Sequence, residues 1–274
     1  MQNYVLTCEL GLEALVKKEV LRQGYEITEV LDKAIYFRGW EEAMAVMNLW
    51  SRFGNRVFLE LESEEKVIDF DHYFDLISEI EWGKYVNDWY VVRVKAKSIK
   101  SGLSSEPSLQ SLAKKSIIKK IEKTREFFES ENQGIVDIQI LIQNDRLKVL
   151  LNTSGAGLFK RGYKTESVEA PLKENVAAAI VQISHWKYSE NFYDPFCGSG
   201  TIAIEAVLIA RNIAPGKFRR FAFQDFEFYN VRHHREALEK AKTGEYDRTY
   251  SVFASDIKAD WNYLFSMFAF SDGF

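Results

Sequence analysis

The sequence predicts an α+β N-terminal part followed by an α/β domain with a nucleotide-binding type of turn. Three observations carry this prediction. Up to about residue 155, short β-rich runs alternate with stretches of helical apolar spacing. Beyond residue 190 a strand, a glycine loop and a helix follow one another directly, and a later strand ends in an acidic residue. Charge is also unevenly divided: residues 1–83 carry 8 Lys/Arg and 17 Asp/Glu, net −9, whereas residues 84–125 carry 11 and 3, net +8. In a chain of overall net charge −4, such asymmetry has two readings: a local basic surface for an anionic partner, or a solvated helix face.

The elements follow in order. Val5-Leu6-Thr7-Cys8 reads as a strand, and Leu12, Leu15, Val16 and Val20 are spaced as one face of a helix that Gly24 terminates. Thr28–Leu31 and Ala34–Gly39 are strands around an Asp-Lys turn, Trp40–Trp50 is a helix, and Arg56–Glu62 alternates as a strand. The order β-α-β-β-α-β is that of a small ferredoxin-like unit, assigned to residues 1–63. A second unit, 64–155, contains a short helix over Asp71–Ile80, a strand over Trp89–Ala96, a long helix from Pro107 to Phe128, and a hairpin. The hairpin joins Val136–Ile142 to Arg146–Asn152 through Asn144-Asp145, a pair that tolerates left-handed backbone. The polar stretch Gly155–Lys164 marks a domain boundary, and residues 156–274 form the third unit. There Glu174–Ser184 is a helix started at Pro171, Asn191–Asp194 a strand, Thr201–Arg211 a helix and Tyr250–Asp256 a strand, the alternation of a parallel α/β sheet.

Composition excludes several classes. A chain of 274 residues with 46% hydrophobic content and only 4 prolines is globular. No run reaches the roughly 20 apolar residues of a membrane helix, and no signal peptide is evident, so no membrane partner is expected. Cys8 and Cys197 are far apart, which fits free thiols in a reducing, cytoplasmic setting. His72, His185, His233 and His234 do not sit at ligand spacing from either cysteine, so no metal is expected.

The chemistry concentrates at Asp194-Pro195-Phe196-Cys197-Gly198-Ser199-Gly200-Thr201. Gly198 and Gly200 allow a tight turn and close approach of a ligand, and the amides heading the next helix face it. Only two glycines of a G-x-G-x-x-G pattern are present, with Ala203 in place of the third, and no Lys-Ser/Thr follows as in a P-loop. Asp256 is the candidate ribose acceptor, although it lies 58 residues beyond Gly198 rather than about 20, so a segment is inserted between the two strands. Spacing alone leaves nucleotide-like binding and a structural glycine turn as alternatives. Cys197 reads as a small buried spacer, since nothing nearby would activate it as a nucleophile.

The string Asp194–Thr201 resembles the D-P-F-C-G-S-G-T signature of Rossmann-like methyltransferases that modify exocyclic amines in RNA. Ile204-Glu205-Ala206, Asn212–Gly216 and Arg219–Phe223 resemble the narrower bacterial family of guanine-N2 ribosomal RNA methyltransferases that carry a THUMP domain. Lys160-Arg161-Gly162-Tyr163-Lys164 and Glu169–Asn175 are similar to two further segments of that family. The resemblance implies an α+β part, ferredoxin-like plus THUMP, followed by a Rossmann-like methyltransferase domain that uses S-adenosyl-L-methionine and acts on structured RNA. It implies that the Asp194–Thr201 loop holds the methionine portion, that Asp256 holds the ribose hydroxyls, that Ile257 packs on the adenine, and that Pro171–Asn175 flanks the pocket. Glu205 has two readings, a dipole-favoured helix carboxylate or a site residue. Lys173 likewise is either an exposed helix-start lysine or a pocket residue.

The sequence departs from the family at one point. Its prolines are Pro107, Pro171, Pro195 and Pro215, so the Asn-Pro-Pro-Tyr segment that grips the target base is not present, and the C-terminal portion of the domain is incomplete. Trp261–Met267 resembles a strand that normally lies well beyond that segment. One expectation is a stretch missing between Asp260 and Trp261, which an intact mass well above 31.8 kDa would support. The other is a true truncation, expected to bind cofactor without turnover. For the basic segment, the THUMP resemblance implies that Arg93, Lys95, Lys97, Lys100, Lys114, Lys115, Lys119 and Lys120 face RNA phosphates, so that charge reversal at Lys115 and Lys119 weakens binding and flattens its salt dependence. Trp82, Trp89 and Tyr90 are candidates for base stacking or for core packing. Ribosomal RNA, tRNA and a non-catalytic RNA-binding role are not separated by these residues, and the sequence does not set the oligomeric state.

Overall fold

A computed structural model describes residues 1–86, 90–122, 134–163 and 172–256. Trp89, Pro171, Ile257, the Trp261–Met267 strand and the end of the long helix up to Phe128 lie outside the described residues.

The N-terminal elements are β1 (Gln2–Cys8), α1 (Glu13–Arg22), β2 (Glu26–Leu31), β3 (Ala34–Gly39), α2 (Glu42–Trp50) and β4 (Gly54–Glu64). They are followed by α3 (Phe70–Glu79), the short α4 (Trp82–Tyr85), β5 (Tyr90–Ile99), α5 (Glu106–Glu122), β6 (Gly134–Gln143) and β7 (Arg146–Asn152). All seven strands form one sheet in the order β2-β3-β1-β4-β7-β6-β5. The join is an antiparallel pairing of β4 with β7, from Phe58↔Asn152 to Glu64↔Leu147, so the ferredoxin-like element order runs into the second unit without a break in the ladder. β5 and β6 pair in parallel, with α5 between them in the chain. Asn144 and Asp145 both take positive φ, 52° and 62°, the backbone that a two-residue hairpin turn demands.

Strand alternation decides which face is covered. Tyr4, Leu6, Ile35, Phe37, Val57, Leu59, Val92, Val136, Val149 and Leu151 point to one side, where Val16, Val20, Met44, Met47, Tyr73, Ile77, Ala113 and Ile117 of α1, α2, α3 and α5 cover them. Among the described residues the other face carries a small buried group, Val5, Tyr36, Phe58 and Leu150, amid charged and polar side chains. Trp82 is fully buried and donates its indole N–H to the Ile77 carbonyl at 2.7 Å, and Tyr90 is 7% exposed. Both are core residues rather than stacking platforms.

The third unit comprises α6 (Glu174–Ile183), β8 (Phe192–Asp194), α7 (Thr201–Ala210), a 3-10 turn (Ala222–Asp225), α8 (Val231–Thr243) and β9 (Val252–Ala254). β8 and β9 pair in parallel. Helix α8 is absent from the sequence reading; it fills part of the insertion and packs on α2 through Ala237 and Ala241. Phe221, Phe223, Phe226 and Tyr229 join the same core as α2, so the unit rests on the helical side of the N-terminal sheet.

The connecting segment is strapped down. Arg219 donates to the carbonyls of Gly157 (2.5 Å), Lys160 (2.9 Å), Ala156 (2.8 Å) and Ser154 (3.1 Å). Gly162 has φ 93°, and a Cβ there would overlap the Phe218 carbonyl oxygen. Gly162→Ala is therefore expected to cost at least about 2 kcal/mol in chemical denaturation, since left-handed strain and overlap add; a loss within experimental error would show that the strap tolerates a side chain. No helix among the described residues is long and apolar enough to cross a membrane.

Candidate cofactor site

β8 ends at Asp194, and the chain turns through Pro195–Gly200 into α7. Gly198 has φ 53° and Gly200, the residue preceding the helix, has φ 72°; both lie in the left-handed region that glycine enters without strain. A Cβ at Gly198 would meet nothing within 4 Å, so this side of the loop is open space. β9 holds the loop in register. Ser255 N donates to Asp194 O at 2.9 Å, and Cys197 N donates to Ser255 O at 2.8 Å. The Ser255 hydroxyl donates to Pro195 O at 3.1 Å. Asp256, the candidate ribose acceptor, lies directly beside the loop: its Oδ2 accepts from Gly198 N at 3.0 Å. Two segments 58 residues apart thus meet at the carboxyl ends of parallel strands, where open α/β sheets bind ligands.

The loop side chains differ in role. Thr201 is 3% exposed, and its hydroxyl lies 3.1 Å from that of Ser199. Cys197 is buried, and burial with the nearby Asp194 and Asp256 charges pushes its thiol up, away from the reactive thiolate. Pro195 is exposed, and the Phe196 ring is 88% exposed at the loop tip. Asp194 Oδ2 is buried and accepts no hydrogen bond among the described residues. Burial, and then the Asp256 charge, raises its carboxyl above the usual range, while an amide hydrogen bond from Phe196 opposes this. A buried acceptor without a donor among the described residues, at the end of β8 and beside an open backbone, is suited to a ligand carrying N–H groups.

Glu205 belongs to a buried ion-pair cluster. It is fully buried one turn into α7, where its Oε1 accepts from Arg161 Nε at 3.3 Å and from the Tyr163 hydroxyl at 3.1 Å. Its Oε2 lies 3.5 Å from Arg52 Nη1, an ion pair without the alignment of a good hydrogen bond. Arg161 also donates to the carbonyls of Leu158, Ser51 and Arg52, and Arg52 donates to Ile213 O at 2.7 Å. Glu19, on α1, extends the cluster by accepting from Arg52 N at 2.7 Å; burial pushes its carboxyl up to about 7 against the pull of those donors. The cofactor helix is thereby bolted to the N-terminal unit and to the strap. Arg161 and Tyr163 supply the bolt, a role the sequence reading did not give them. Lys173 bonds Glu9 at 2.7 Å, and Asn175 donates to Asn55 Oδ1 at 2.9 Å, so the helix start Lys173–Asn175 faces the N-terminal unit as well.

The eight basic residues fall in two groups. Arg93, Lys95 and Lys97 alternate with core-facing Val92, Val94 and Ala96, so they stand on the open face of the sheet, with Lys100 in the following turn. Lys114, Lys115, Lys119 and Lys120 belong to α5, which packs on the opposite face; Lys119 Nζ lies 5.8 Å from the Phe74 ring of α3.

A parallel βα turn holding a glycine loop, an acidic second strand end and a helix-bound N-terminal α+β part define a Rossmann-like methyltransferase joined to a ferredoxin-like domain. Comparison with known proteins agrees. Residues 3–58 match the RlmL ferredoxin-like domain, and residues 161–263 match the RMKL-like methyltransferase domain. The chain is 39% identical over 264 residues to "Putative RNA methyltransferase YpsC" of Bacillus subtilis, covering 94% of this chain and 68% of that protein. A crystal structure described as a "predicted N6-adenine-specific DNA methylase" from Listeria monocytogenes superposes with a TM-score of 0.85 at 36% identity, covering 94% of this chain and 68% of that one. Another, "SMU.472, a putative methyltransferase complexed with SAH", gives 0.83 at 34% identity, covering 94% and 69%. The chain belongs to the RlmL-like RNA methyltransferase family.

Proposed function

We propose that this protein binds S-adenosyl-L-methionine on the Asp194–Thr201 loop and directs methyl transfer to the exocyclic N2 of guanine in structured RNA, in the large-subunit (23S) ribosomal RNA. The observation that carries the reading is the meeting of the left-handed Gly198–Gly200 turn with Asp256 and with the unpartnered Asp194 oxygen. These residues fit the cofactor: Asp194 takes the amine of its methionine part, the loop amides take its carboxylate, and Asp256 takes the ribose hydroxyls; Ile257, outside the described residues, is the residue proposed for the adenine. When bound, the cofactor supplies an electrophilic methyl group. The protein's own task is alignment, since transfer to a neutral amine depends more on position than on an ionised base. The buried Glu205–Arg161–Arg52 cluster serves that task by fixing the cofactor helix relative to the RNA-binding part.

On this reading residues 1–63 are the ferredoxin-like domain, 64–155 a THUMP-type RNA-binding domain and 156–274 the methyltransferase domain, working in the cytoplasm. The eight basic residues are the phosphate contacts, in the two groups described above. Labelled methyl transfer to total RNA, followed by nucleoside analysis of each RNA fraction, tests the proposal. N2-methylguanosine in large-subunit RNA is expected. The same product in tRNA would move the substrate to tRNA, a methylated adenine would overturn the base assignment, and cofactor binding without any transfer would leave an RNA-binding protein with a cofactor pocket.

A further inference from the structure

Two helices of the third unit start against one corner of the N-terminal unit. The corner is Ser51–Asn55, where α2 passes into β4. A single carboxylate shapes it: Glu19 of α1 accepts from Arg52 N at 2.7 Å, from the Ser51 hydroxyl at 3.0 Å and from Phe53 N at 3.4 Å. Arg52 extends from the corner to Glu205 of α7, with Nη1 3.5 Å from Oε2. Asn175, the second residue of α6, reaches the same corner from the other helix. Its Nδ2 donates to Asn55 Oδ1 at 2.9 Å and to Phe53 O at 3.4 Å. A backbone carbonyl only accepts, which turns the amide nitrogen of Asn175 toward the corner. Its Oδ1 accepts from Val176 N at 3.1 Å, one of the first-turn amides that lack a partner four residues back.

Both helices start at the cofactor end of the β8–β9 pair. α6 leads through residues 184–191 into the amino end of β8, and α7 leaves from its carboxyl end. The two helices pack on each other, so both run back along the strand and begin near its carboxyl end. Tyr163 agrees with this: burial, and then the charges of Glu205 and Glu174, push its hydroxyl up, so the first residue of α6 lies near the bond from Tyr163 to Glu205 of α7. Asn175 has no solvent exposure, and a buried amide costs free energy unless it is bonded. Docking of the units does not call for this polar pair. Phe221, Phe223, Phe226 and Tyr229 already share a core with α2, and Ala237 and Ala241 of α8 join them.

We propose that Asn175 is a positioning residue of the cofactor site: through Asn55 it sets the first turn of α6 against that of α7, and so the placement of the loop that α7 carries. The inference rests on the Asp194–Thr201 loop being the S-adenosyl-L-methionine site. It gives the N-terminal unit a task besides RNA contact, since its Ser51–Asn55 corner fixes a spacing that neither helix fixes alone. Among the described residues no hydrogen bond joins Asn55 or Asn175 to the loop itself, so both act through the helices. Remote residues can matter in this way, because a misplacement of about 1 Å can cost a site about a hundredfold in rate.

The test is a double-mutant cycle read by calorimetric titration of the whole protein with S-adenosyl-L-methionine. Asn175→Ala is expected to raise Kd roughly tenfold, the scale of one buried hydrogen bond left unmade. Asn55→Ala, at a half-buried position and so milder for folding, should also raise it, and the double variant should bind no more weakly than the worse single one, as residues acting in series do. Ile140→Val, in the core of the N-terminal sheet, serves as a control for general destabilisation, with thermal melting run on every variant. Its Kd should stay within about twofold of the wild type, as for a distant independent site. Unchanged affinity in both asparagine variants overturns the proposal. So do fully additive losses, which would remove the route through Asn55, and an equal loss in Ile140→Val, which would reduce the effect to stability. A wild-type protein that does not bind S-adenosyl-L-methionine overturns it differently, by removing the cofactor reading on which it rests.

Discussion

Replacing Glu205 by alanine is expected to lower the unfolding free energy by about 3–5 kcal/mol, the usual cost of removing one partner from a buried ion pair. The side chain has no solvent exposure, and it is the carboxylate that Arg161 and Arg52 share. Without it, Arg52 and Arg161 lose the carboxylate they share, and Glu19 reaches the Arg52 backbone rather than Arg161. The Tyr163 hydroxyl also loses its acceptor. In a chain of this size the loss corresponds to a drop in Tm of roughly 6–20 °C. Urea denaturation followed by circular dichroism measures it, and a loss below about 1 kcal/mol would show that the cluster is solvated like a surface pair. Glu205→Gln keeps the volume and an acceptor for Arg161 but leaves the same charge imbalance, so an intermediate loss is expected.

The second large effect concerns ligand binding. Asp256→Ala is expected to weaken S-adenosyl-L-methionine binding by roughly 10–150-fold, equivalent to about 1.5–3 kcal/mol for a hydrogen bond to a charged group. One carboxylate does two things here. It anchors Gly198 N at 3.0 Å and so holds the loop open, and it presents the acceptor proposed for the ribose. Asp256→Asn retains an acceptor for Gly198 and should lose less. Stability should change little, because Asp256 sits at the rim of the site and not in the core. Equal affinity in Asp256→Ala and the wild type would remove Asp256 from the cofactor site.

The loop and its partner were legible in the sequence because they depend on local chemistry. Two glycines in a strand–turn–helix context and an acid at a strand end state their own geometry, and Asn144-Asp145 likewise announced its turn. Helix α8 was not legible, because the residues it buries most deeply are Ala237 and Ala241, which leave a faint apolar stripe among charged residues. The split of the basic residues was half legible. The alternation of Arg93, Lys95 and Lys97 with Val92, Val94 and Ala96 puts them on one side of a strand, but only packing shows that α5 covers the other side. The Glu205 cluster could not be read at all, since Arg52, Arg161 and Glu205 are brought together by the fold across more than forty residues at each step. The most direct sequence trace of it was the Lys160–Lys164 string, which family resemblance marked but to which it assigned no contact.

Calorimetric titration with S-adenosyl-L-methionine tests the central claim most directly, using the wild-type protein beside Gly200→Val. A β-branched residue cannot hold φ 72° without strain, so the turn that aims the helix amides is lost while the N-terminal sheet is untouched. The account predicts saturable binding at one site in the wild type and none measurable in the variant, with the far-ultraviolet circular dichroism of the folded chain retained. Equal affinity in the two proteins would contradict it and would place the cofactor somewhere other than the Asp194–Thr201 loop.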